Sequence, residues 1–89
     1  MKILEFSAPT RCYKCKYLAP LLQIECNKYG IDLEFYDIDS EEGYQKSIDR
    51  GIKSVPTVIA ISDDGKEIGR DFTMLAWKAV EYWYNDCSS

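Results

Sequence analysis

The chain has no histidine. Imidazole is therefore unavailable as base for a cysteine nucleophile, and every metal site that uses it is excluded. Positive charge is in the minority: 11 Lys and Arg stand against 15 Asp and Glu, a net charge of −4. That balance argues against nucleic acid as the main partner. Long apolar runs are missing, and none approaches the ~20 residues a membrane helix needs. The start, Met1-Lys2-Ile3-Leu4-Glu5-Phe6, meets a charge after two apolar residues and does not read as a signal peptide. Repeats, low-complexity segments and linkers are also lacking. A single domain over residues 1–89, monomeric and cytoplasmic, is the expectation. Apolar residues make up 46% of the chain, enough for one core and too many for disorder.

Only four cysteines are present, but two of them form Cys12-Tyr13-Lys14-Cys15 at the start of an amphipathic stretch. In a reducing compartment such a pair is redox-active or metal-binding rather than a structural bridge. A four-cysteine zinc site would need Cys26 and Cys87, which lie far apart with no second CxxC, so zinc is the weaker reading and no metal is expected.

Ile3 to Phe6 reads as a short strand. Cys12 to Tyr29 reads as a helix, with Cys15, Leu18/Ala19, Leu22, Cys26 and Tyr29 on one apolar stripe and Gly30 ending it. Leu33 to Asp37 is a strand. Ser40 caps a short helix reaching about Arg50, with Tyr44 and Ile48 expected inward. Thr57 to Ile61 is the most apolar strand and is expected to be central. Asp63-Asp64-Gly65 turns the chain into a partner strand, Lys66 to Arg70. Thr73 caps a last helix packed through Ala76/Trp77, Val80 and Trp83/Tyr84, with Cys87 to Ser89 as a frayed end. The order β-α-β-α-β-β-α starts with a parallel crossover and ends with an antiparallel hairpin. It implies an α/β fold: a mixed four-stranded sheet with helices on both faces.

Cys12 falls at the first turn of its helix, where backbone N–H groups and the dipole favour negative charge; Arg11, Lys14 and Lys16 add positive charge nearby. These features favour the attacking thiolate. Cys15 continues the apolar stripe and is expected to be more buried. Cys12 would then attack a substrate disulfide, and Cys15 would resolve the mixed disulfide. Glu5, on the strand entering the site, has two readings. Facing the core, it is a carboxylate of raised pKa that could relay a proton to or from Cys15; facing solvent, it is an ordinary strand charge. Tyr13 and Lys14 stand beside Cys12 and would touch a docking substrate. Cys26 reads as a core residue, and Cys87 has no assigned role.

Taken together, Phe6-Ser7-Ala8, Cys12-Tyr13-Lys14-Cys15-Lys16, Leu18-Ala19-Pro20 and Val55-Pro56-Thr57 resemble the thioredoxin family. The resemblance runs from Ile3 to about Tyr84 and implies the minimal thioredoxin fold, close to glutaredoxin in size. It implies a kink at Pro20 and a cis-proline loop at Val55-Pro56-Thr57 opposite the CxxC. In that loop Val55 would offer backbone groups to substrate by strand addition. It further implies a protein-disulfide reductase with no cofactor beyond the reversible Cys12–Cys15 disulfide. A flavoprotein thioredoxin reductase would supply electrons to protein disulfides, ribonucleotide reductase among the possible targets.

Departures from the family pattern are specific. Tyr13-Lys14 replaces Gly-Pro, Arg11 replaces a tryptophan, and the loop before Cys12 is one residue longer. Phe72-Thr73 replaces a glycine, and Arg70-Asp71-Phe72-Thr73 stands where glutaredoxins bind glutathione. A glutathione-dependent, glutaredoxin-like reductase and a non-catalytic binding module of the same fold are the alternatives.

Overall fold

The computed structural model describes residues 1–88, the backbone alone at Ser88. Its elements are β1 (Lys2–Ser7), α1 (Tyr13–Tyr29), β2 (Asp32–Asp37), α2 (Glu41–Asp49), β3 (Thr57–Ile61), β4 (Glu67–Asp71) and α3 (Ala79–Ser88), with a 3₁₀ turn at Ala76–Lys78 before the last. The strands form one sheet in the order β2-β1-β3-β4. β1 runs parallel to β2 and antiparallel to β3, and β4 closes the hairpin. This is the expected mixed four-stranded α/β architecture.

Strand alternation divides the core. Ile3, Val58 and Ala60 face α1 and α3, packing with Leu18, Leu22, Cys26, Val80 and Trp83. Leu4, Phe6, Ile59 and Ile61 face the α2 side with Tyr36, Ile38 and Ile52. Pro20 lies inside α1, where it removes one helix donor without ending the helix. Gly30 ends it in the left-handed region (φ 65°), and the next residue, Ile31, donates to the Cys26 carbonyl at 2.9 Å.

Three expectations need correction. Tyr44 and Ile48 do not face inward; they are 60% and 54% exposed, and Gly43 and Ser47 face the sheet instead. The cap explains the rotation. The Ser40 hydroxyl donates to the Asp37 carbonyl at 2.6 Å and accepts from Gly43 N–H at 3.0 Å. This draws the first turn so close to β2 that a Cβ at Gly43 would overlap the Asp37 carbonyl. The last helix does not start at Thr73. That hydroxyl accepts only from Leu75 N–H, and the chain passes through the 3₁₀ turn first. Cys87 lies within α3 rather than on a frayed end, and Ser89 falls outside the described residues. Among the described residues, no helix is long and apolar enough to cross a membrane.

Candidate redox site

The site forms where β1 runs out. The Ala8 carbonyl accepts from Arg11 N–H (3.1 Å) and Cys12 N–H (3.0 Å), folding the loop into a turn that delivers Cys12 to the N-cap of α1. Cys12 fills that role with sulfur: its Sγ accepts from Cys15 N–H at 3.2 Å. This places a helix-terminal donor on the sulfur that would carry negative charge. Cys12 is half-buried, whereas Cys15 is 1% exposed, and both are free thiols. Burial pushes the Cys15 thiol above its ordinary range, reinforced by its hydrogen bond with Cys12 and opposed by Ala8 and Ser7. The expected asymmetry between an accessible and an enclosed sulfur is therefore present.

The loop before β3 lies against this pair. The Val55–Pro56 peptide is cis, and the Val55 carbonyl stands 4.0 Å from Cys12 Sγ. Pro56 and Thr57 are fully buried, and the Thr57 hydroxyl is spent on the Ser54 carbonyl at 2.6 Å. Thr57 thus shapes the loop from behind. Tyr13 is 73% exposed at the mouth of the site, and Lys14 and Lys16 are also exposed. Phe72, 54% exposed, follows directly on the Val58–Asp71 pair, at the same end of the sheet as this loop.

Arg11 is not a free cation beside Cys12. Its guanidinium grips Asp39 with two bonds, Nε to Oδ2 at 3.0 Å and Nη2 to Oδ1 at 3.1 Å, which holds the Asp39 carboxyl below the usual range. The pair ties the active-site loop to the β2–α2 connection. Sequence reasoning missed it, since Asp37 to Glu42 reads as a solvated acidic cap. The signal was an arginine where the family places an aromatic residue.

Glu5 faces the core on the α1 side, 2% exposed, and its Oε2 has no hydrogen-bond partner among the described residues. Burial raises its pKa to about 7. The thiol on which its charge acts is Cys26, pushed up to about 12 by burial first and then by Glu5 and Glu25. The inward reading of Glu5 is the one the fold adopts. No group of three or more His, Cys, Asp or Glu that could hold a metal occurs among the described residues.

The thioredoxin family sequence profile matches residues 1–74. The chain belongs to the thioredoxin family. A thioredoxin of Borreliella burgdorferi is 34% identical over 55 residues, covering 62% of this chain and 47% of that protein. The match thus spans about half the length of this curated relative. Among solved structures, thioredoxin 1 of Thermosipho africanus superposes with a TM-score of 0.79 at 26% identity, covering 100% of both chains. Mitochondrial thioredoxin 3 of Saccharomyces cerevisiae, in its oxidised form, gives 0.77 at 25% identity over 94% of this chain and 76% of that one.

Proposed function

We propose that this thioredoxin-family chain, acting as one domain, is a thiol–disulfide oxidoreductase that reduces protein disulfides. The observation that carries the reading is the paired state of the CxxC: a half-buried N-cap sulfur receiving a backbone N–H, three residues from a buried one. The Cys12 thiolate attacks one sulfur of the substrate disulfide. A mixed disulfide forms, and the other substrate sulfur leaves as a thiolate that takes up a proton. Cys15 loses its proton, attacks Cys12 Sγ and expels the second substrate thiol. Two electrons have then passed to substrate, and Cys12–Cys15 is a disulfide.

Glu5 is the proton-relay group we assign to this step; its charge acts on Cys26, so the assignment to Cys15 rests on its burial on the α1 face of the sheet and not on contact. A carboxyl titrating near 7 is matched to accepting and returning a proton at neutral pH. Val55 offers backbone groups to the substrate strand beside cis-Pro56 and Thr57, while Tyr13 and Lys14 meet its flanks. Arg11, held by Asp39, and Lys16 supply the positive charge near Cys12.

The electron donor is a flavoprotein thioredoxin reductase, the setting is cytoplasmic, and ribonucleotide reductase is one target that family membership suggests. A glutathione-dependent reading has one observation in its favour. A groove of about 370 Å³ beside Val55 is lined by Lys53, which suits a carboxylate-bearing thiol, and by Arg11, already paired with Asp39. Reduction of the oxidised protein by NADPH with thioredoxin reductase, compared with NADPH, glutathione and glutathione reductase, separates the two. Fast turnover with the first system alone is expected. Turnover with the second alone would transfer the chain to the glutathione-dependent reading, and turnover with neither would remove both.

A further inference from the structure

The two faces of the sheet are unequally covered. α1 and α3 pack on one, and the nine residues of α2 lie on the other. Between the last turn of α2 and the sheet remains a cavity of about 430 Å³, within the range of small-molecule sites. Its floor is apolar, formed by Leu4, Phe6 and Ile61, all buried.

The rim is charged, and its groups differ in whether they are already engaged. Glu34 is satisfied, accepting from Lys2 Nζ at 2.9 Å and from the Tyr36 hydroxyl at 2.7 Å. Asp49 accepts from Gln45 at 3.2 Å. Lys46 and Arg50, also on the rim, form no salt bridge among the described residues, and Arg50 is half-buried. Their charges act on groups of the same rim, Lys46 on Glu34 and Arg50 on Tyr36. An acidic chain has thus gathered two unpaired cations over an apolar floor.

That combination selects a ligand with an apolar body and an anionic head. The carboxylates of Glu34 and Asp49 nearby count against a dianion. We propose that this cavity binds a small organic monoanion, an aryl or alkyl carboxylate. Its body would rest on Leu4, Phe6 and Ile61 and its carboxylate on Arg50 and Lys46. The site lies on the opposite face of the sheet from α1, which carries Cys15 and is capped by Cys12, so it stands apart from the redox reading.

The test is a titration of the reduced 89-residue chain with 2-naphthoate and, in parallel, with uncharged 2-naphthamide, followed by backbone amide NMR. Saturable shifts centred on Leu4, Tyr36 and Ile61 are expected, with the carboxylate binding about tenfold tighter than the amide. Arg50→Gln should weaken naphthoate binding by a similar factor, and Lys46→Gln, at an exposed position, serves as the second variant. Both should reduce hydroxyethyl disulfide as fast as the parent chain. Shifts centred instead on Tyr13 and Val55, equal affinity for the two probes, or binding unchanged in both variants would overturn the proposal.

Discussion

Cys12 and Cys26 are the same residue type on the same helical segment, and their surroundings give them opposite chemistry. Cys12 caps the N-terminus, half-exposed, with a backbone N–H on its sulfur. Cys26 sits near the other end with no exposure, its thiol pushed up to about 12 by burial and by the charges of Glu5 and Glu25. Position along one helix therefore separates the half-exposed N-cap sulfur, to which we assign the attack, from a core atom. Cys15 lies between these extremes: buried like Cys26, yet in contact with Cys12.

The sharpest way to break this comparison is to exchange the two sulfurs for inert groups. Cys12→Ser should reduce protein-disulfide turnover to background, whereas Cys26→Ala should leave it unchanged in the same assay. Loss of turnover in the second variant, with the fold intact by circular dichroism, would place chemistry in the interior.

Glu5 gives the next largest effect. Its carboxyl is held protonated in the fold to about pH 7, against an ordinary value of 4.5. The folded state therefore keeps a proton that the unfolded chain releases, and stability falls as pH rises from 4.5 to 7. The contribution at stake is about 3 kcal/mol. Glu5→Gln should remove this slope in urea melts and be the more stable protein at alkaline pH. If Glu5 relays the Cys15 proton, the variant should also turn over more slowly around neutrality.

Cys26→Ala should cost about 1 kcal/mol of stability by trading a buried sulfur for a small void. In the parent chain, iodoacetamide should modify Cys12 quickly and Cys26 only after denaturation, which mass spectrometry of tryptic peptides can read. The smallest effect belongs to Arg11→Gln. The bidentate pair with Asp39 is exposed and screened by solvent, so its loss should barely move the midpoint of the urea melt. A larger loss would mean that this clasp organises the loop delivering Cys12.

Much of this was legible in the sequence because it rests on local signals. The α1 stripe of Cys15, Leu18, Leu22 and Cys26, the Ser40 cap and the Gly30 stop each fix an element without reference to distant residues. The CxxC and Val55-Pro56-Thr57 were equally readable as motifs, and the fold brings them together. What escaped depends on three-dimensional fit. The facing of α2 followed from how closely Gly43 approaches the Asp37 carbonyl, and hydrophobic periodicity carries no record of such an approach. The Arg11–Asp39 pair joins loops 28 residues apart. The facing of Glu5 was open in so short a strand and is settled by its register opposite Val58 and Phe35.

The most direct test of the account is to trap its intermediate. A Cys15→Ser chain, mixed with a disulfide-bonded peptide, should stop at the mixed disulfide, and peptide mass spectrometry should find the adduct on Cys12. An adduct on Cys26 or Cys87, or none at all from a folded protein, would contradict the assignment of Cys12 as the attacking sulfur.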